Sequence, residues 1–97
     1  MEKAELGDVV LATAGRESGK LFFVVGVSGE YLFLADGKHR SAVSPKHKKR
    51  RHTVLRGSGG EVGELLRAGG TAPDRQLRRA LAAFNANAKE SEPKEVL

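Results

Sequence analysis

The stretch DVVLATAGRESGKLFFVVGVSGEYLFLADGK (residues 8–38) decides the fold class. Val, Phe, Leu and Tyr concentrate in three short runs, Asp8 to Ala12, Leu21 to Val27 and Tyr31 to Ala35, which the β-branched and aromatic content predicts as strands. Ala14-Gly15 and Ser18-Gly19 bound the first connection. Ser28-Gly29 suits a two-residue hairpin turn, and Asp36-Gly37 closes the third strand. Leu21 to Val25 is continuously apolar, so both faces of that strand are expected to be covered and something must pack outside the sheet.

Outward from this core the signals weaken. Arg40 to Val43 and Thr53 to Leu55 are predicted as two further strands, separated by Ser44-Pro45 and a basic run, which gives the five strands that a small closed barrel needs. Arg56-Gly57-Ser58-Gly59-Gly60 reads as a linker, after which the apolar period changes from 2 to 3.6. Ser58 and Glu61 have capping-box spacing ahead of Val62, Leu65 and Leu66, with Gly69-Gly70 as the stop. A second helix is expected from Thr71, capped through Asp74, with Leu77, Leu81, Phe84 and Ala88 on one face and Arg75, Arg78 and Arg79 on another. Leu77, Leu81 and Phe84 are expected to cover the outer face of the second strand as core residues. The arginines are solubilising or extend a binding footprint. The expected organisation is residues 1–56 as a β domain, 57–88 as a helical extension and 89–97 as a disordered tail.

A chain of 97 residues has room for one small core. With no cysteine, neither disulfides nor thiolate zinc sites brace it. The opening MEKAELGD carries no signal-peptide pattern, and no stretch of about 18 apolar residues occurs, so a cytoplasmic protein that does not cross a membrane is expected. No long apolar patch is evident, which makes a monomer the default.

Enzyme chemistry has little to stand on, and no cofactor or metal is expected. GRESGK (Gly15 to Lys20) resembles a phosphate-binding loop, but that pattern needs four residues between the glycines and Ser or Thr after the lysine; here there are three, and Leu21 follows. His39, His47 and His52 have no common metal spacing and stand among cations that repel a metal. No nucleophile elbow occurs, and Glu61, Glu64 and Asp74 suit the starts of helices.

The net charge is +5, and its distribution is more informative than its size: no acidic residue lies between Asp36 and Glu61. SPKHKKRRHTVLR (Ser44 to Arg56) carries five Lys or Arg among the six residues Lys46 to Arg51. Such clustering costs self-repulsion unless a polyanion relieves it, and a run held between two strands forms a fixed ridge suited to folded RNA. A solvated charge run and a nuclear-import signal are the other readings of the same letters.

The segment GDVVLATAGRESGKLFFVVGV (Gly7 to Val27) resembles the KOW motif, with Gly19 as its central glycine. The continuation, a strand ending in ADGK and a PK-rich basic segment, resembles bacterial KOW-domain RNA-binding proteins related to an archaeal and eukaryotic large-subunit ribosomal protein. The resemblance covers about residues 5 to 55. It implies a mainly β protein with an SH3-like five-stranded barrel that binds RNA. Arg16, Lys20, Lys38, Arg40 and the run Lys46, His47, Lys48, Lys49, Arg50, Arg51 and His52 would take the RNA-facing positions. The helices after Gly57 are a departure from the family pattern.

The expected function is therefore binding of structured RNA, above all ribosomal RNA or the large subunit, through backbone phosphates and groove shape. Tyr31, Phe22, Phe23 and Phe33 are expected in the core, which disfavours a base-stacking platform. Two alternatives stand beside it: a KOW module docking on a protein partner, as in transcription elongation factors, and a nonspecific DNA-binding protein.

Overall fold

The computed structural model describes residues 3–91, and side chains near the carboxyl end as far as residue 86. Five strands, β1 (Val9–Ala12), β2 (Leu21–Ser28), β3 (Tyr31–Ala35), β4 (Lys46–Lys49) and β5 (Thr53–Gly57), precede two helices, α1 (Gly60–Arg67) and α2 (Asp74–Ser91). The strands form one antiparallel sheet in the order β4-β3-β2-β1-β5. No helix among the described residues is long and apolar enough to cross a membrane.

The continuous apolar run in β2 divides between two cores. Phe22 and Val24 point inward with Ala4, Val10, Ala12, Leu32 and Leu34, while Phe23 points the other way with Val9 and Ala35, toward the helices. Among the described residues no second layer covers the inner cluster, yet its members are almost completely buried. The sheet must therefore bend over its own inner face, helped by register shifts between Val24 and Gly26 in β2 and between Val9 and Val10 in β1.

On the outer face, Val62 and Leu66 of α1 join Leu77 and Leu81 of α2 over Val9, Phe23 and Ala35, with Phe84 half-buried against the same cluster. The helical extension thus covers the outer face of β2, as its apolar stripe requires. Ala88, expected on that face, lies beyond the described side chains. Of the segment expected as a disordered tail, residues 89–91 continue α2 and residues 92–97 lie outside the described residues.

Several expectations are corrected. The sheet is open: β4 and β5 are its two edges, connected by a single 3-10 turn at Arg50–His52 and by no strand ladder among the described residues. Arg40 to Val43 is a loop, because its amides are bound elsewhere. The Asp36 Oδ1 atom accepts from the amides of Lys38, His39 and Arg40 at 2.9, 2.8 and 2.8 Å. Ala42 donates to Asp74 Oδ1 at 2.8 Å and Val43 to Ser41 Oγ at 3.0 Å. The fourth strand is the basic run itself.

The helix starts differ too. α1 has no side-chain cap; the chain enters through Gly59 and Gly60, both at positive φ (81° and 58°), a path that leaves Ser58 outside the cap. At α2 the Pro73 carbonyl accepts from Gln76 and Leu77, and the Asp74 carboxylate is turned to the Ala42 amide instead of to Thr71.

Truncating Leu77, which is fully buried, to Ala is expected to cost about 3 kcal/mol in urea unfolding, while Leu65→Ala, at 38% exposure, costs under about 1 kcal/mol.

Candidate nucleic-acid interface

The basic residues gather where three segments meet: the β1–β2 loop, the loop after β3, and β4 with the turn that follows it. In the first, Ser18 donates to Gly15, Lys20 to Glu17 and Gly19 to Ala12 through backbone amides, so two tight turns expose Arg16 and Lys20 and send Glu17 inward. The amides of Ser18, Gly19 and Lys20 are thus consumed by protein carbonyls, which takes half of the GRESGK N–H groups away from any phosphate cradle.

β4 pairs with β3 in the register Tyr31↔Lys49, Leu32↔Lys48, Phe33↔His47 and Leu34↔Lys46. Because successive strand residues alternate faces, KHKK is sorted into two inward cations and an outward His47 and Lys49. Lys48 is buried. Its Nζ donates to the Ala14 carbonyl at 2.8 Å and to Glu17 Oε1 at 3.3 Å. Arg40 reaches the other oxygen, Glu17 Oε2, at 3.1 Å.

Burial by itself would push the Glu17 carboxyl up, but hydrogen bonds from Arg40, Lys48 and its own backbone, with the field of Lys46, outweigh it and hold the group down at about 2. Asp36 is likewise held below the ordinary carboxylate value: burial opposes the shift, and the amides of Arg40, Lys38 and His39 with the His39 ring overcome it. Both acids face inward, Glu17 against the Arg40 and Lys48 cations and Asp36 against three backbone amides and the His39 ring. Among the described residues, no buried side-chain polar atom lacks a partner.

The expected RNA-facing residues therefore divide. Arg16, Lys20, Lys38, His39, His47 and Arg51 are exposed, and Lys46 and Lys49 half-exposed. Lys48 is not part of any exposed ridge, and Arg40 is tied to Glu17. Arg50 is committed to the fold, its Nε donating to the Gly29 carbonyl at 2.9 Å and its Nη1 to the Ala4 carbonyl at 2.7 Å. His52 is half-buried and its carbonyl accepts from the Thr13 amide. On α2, Arg78 donates to the Gly37 carbonyl at 3.0 Å, while Arg75 and Arg79 stay exposed. Among the described residues no group of three or more His, Asp or Glu is arranged to hold a metal.

Two residues expected in the core stand at this surface. Tyr31 is 41% exposed, and Phe33 is half-buried and stacked on His47. The signal for them was the strand alternation of KHKK, which becomes readable once the basic run is taken as a strand.

Removing Glu17 strands the buried Lys48 cation, so Glu17→Ala is expected to lose about 3 kcal/mol, and the double variant with Lys48→Met to recover most of it, in urea unfolding. The folded-state value of Glu17 lies below its ordinary 4.5, so its stabilisation is complete above about pH 4.5 and is lost as the pH falls toward about 2. Unfolding midpoints measured from pH 6 to pH 2 should show that loss, and Glu17→Gln should flatten it.

No model of a known protein family matches this sequence, and no curated protein matches it.

Proposed function

We propose that this chain is a cytoplasmic RNA-binding protein of the KOW type with an SH3-like, partly open barrel, which associates with the ribosome by gripping structured ribosomal RNA. The observation that carries the reading is that the basic run belongs to the folded body. Lys46 to Lys49 are hydrogen-bonded into the sheet, and Arg51 follows in a tight turn whose neighbouring arginine is anchored at both Gly29 and Ala4. Cations held on a rigid edge cannot spread apart to relieve their repulsion, as they would on a flexible arm. A polyanion of fixed shape relieves it instead.

Arg16, Lys20, Lys38, Lys49 and Arg51 carry the phosphate contacts in this reading, because their charges are not consumed by buried acids, whereas Lys46 lies on the inward side of β4 and its field acts on Glu17. Lys48, Arg40 and Arg50 shape the surface without presenting their charges to it. An open sheet of five antiparallel strands, with β5 returned beside β1, supports the small-barrel reading, and the ADGK and PK-basic segments support the KOW resemblance. No catalysis and no cofactor enter the proposal.

The protein-docking alternative draws on one feature, an apolar cleft between α1 and α2 lined by Val62, Pro73, Ala80, Ala83 and Phe84. Sedimentation of a tagged copy with cell lysate at low and high salt separates the readings. Cosedimentation with large subunits at low salt, lost at high salt, is expected; a protein that stays at the top of the gradient without RNA points to docking on a protein partner. Competition with duplex DNA tests the nonspecific alternative.

Salt titration of binding to ribosomal RNA should give a logarithmic slope of about 3.5 to 4.5, and Lys38→Ala, Lys49→Ala or Arg51→Ala should each lower it by roughly 0.7 to 0.9. A slope left unaltered by all three would assign the contacts elsewhere.

A further inference from the structure

We propose that the outward side of His47 is a stacking site for an unpaired nucleobase of the bound RNA. The inference deepens the RNA reading above and rests on it.

The site is built by strand register. Phe33 and His47 are cross-strand partners, with ring centroids 4.3 Å apart and planes inclined by 26°. On the other side of Phe33 stands Gly26, its partner in β2; a Cβ at that position would come within 2.6 Å of Phe33 Cδ2. Glycine therefore lets the phenyl ring settle against β2, and His47 supports it from β4. Both flanks of Phe33 are occupied, and the stack runs outward to end on His47.

β4 is an edge of the sheet, so no strand among the described residues follows His47 on its far side, and the imidazole is exposed. The helices that bury Val9, Phe23 and Ala35 on this same outer face do not reach here, since Tyr31, two residues from Phe33 on that face, is 41% exposed. A cross-strand aromatic pair by itself contributes only about 0.2 to 1 kcal/mol to a sheet. What distinguishes this pair is its neighbourhood. Lys49 lies two residues along the same face as His47, and Arg51 is exposed in the following turn.

An aromatic platform ringed by cations is matched by a flat π system carried on an anionic chain, which is the chemistry of a nucleotide. A base within a duplex is already stacked on both faces, and the deep major groove of A-form RNA excludes side chains, so the occupant is a bulged, looped or terminal base. The cations would then hold the flanking phosphates while the ring takes the base.

Two hairpin RNAs with identical stems, one fully paired and one carrying a single bulged adenosine, test this with the full chain. The wild type is expected to bind the bulged hairpin roughly 5- to 150-fold more tightly, as one added base stack allows. The His47 ring-proton resonances should move upfield with the bulged hairpin through the ring current of the stacked base. His47→Ala should bring the ratio of the two affinities to about one, and His47→Phe, which keeps an aromatic face, should restore it; equal urea midpoints show that the variants are folded. A wild type with no preference for the bulge, or a His47→Ala variant that keeps the preference, overturns the stacking site and leaves the RNA reading standing. Absence of salt-sensitive binding to either hairpin overturns the RNA reading itself, and the stacking site with it.

Discussion

The buried carboxylate of Glu17 is the constraint around which the basic half of the molecule is arranged. It accepts from Arg40 in the loop after β3 and from Lys48 in β4, partners 23 and 31 residues away in the chain, and so ties the β1–β2 loop to the far edge of the sheet. Without it, the bend of the open sheet over Phe22, Val24, Leu32 and Leu34 would bring Arg40, Lys46 and Lys48 together with no counter-charge. The pair is costly to desolvate, and its value to the fold lies in the two-sided arrangement: either partner left alone inside would be far worse than the pair together.

That ion pair also decides what the surface can do. Half of a strand reading KHKK must face inward, and the inward half is acceptable only because an acid waits there. The outward half, His47 and Lys49, is then presented at fixed spacing on a rigid edge. The molecule thus sorts one run of similar letters into cations that build the fold and cations that remain at the surface. Rigidity favours shape-selective recognition, because the side chains do not need to be ordered on binding.

The helices set the other boundary. α1 and α2 cover the outer face of β1 and β2 and stop short of the β3–β4 end, which leaves the Phe33 and His47 rings at the surface. Phosphate contacts position a protein on RNA without reading it, whereas an aromatic ring that accepts only an unpaired base discriminates among RNA shapes. In the proposed reading, the residues for the two kinds of contact, Lys49 and His47, stand two residues apart on one strand.

By itself the sequence determined β1, β2 and β3 and a helical extension whose Leu77 and Leu81 cover the outer face of β2, because β-branched runs and a 3.6-residue stripe are local signals; the hairpin turn expected at Ser28-Gly29 falls one residue on, at Gly29-Glu30, because Ser28 pairs with Tyr31. Reading Phe22 and Phe23 as core was also within its reach, since five consecutive apolar residues need burial on both faces. Only the tertiary structure decided that the fourth strand is KHKK and not Arg40 to Val43. Strand propensity favoured the latter, but Asp36 and Asp74 capture its amides, and Asp74 does so from 32 residues away. The same holds for which basic residues are free. Lys46 to Arg51 look alike as letters, and what separates the buried Lys48, the anchored Arg50 and the exposed His47 is the alternation of a strand and the placing of one distant glutamate, neither of which any local pattern records.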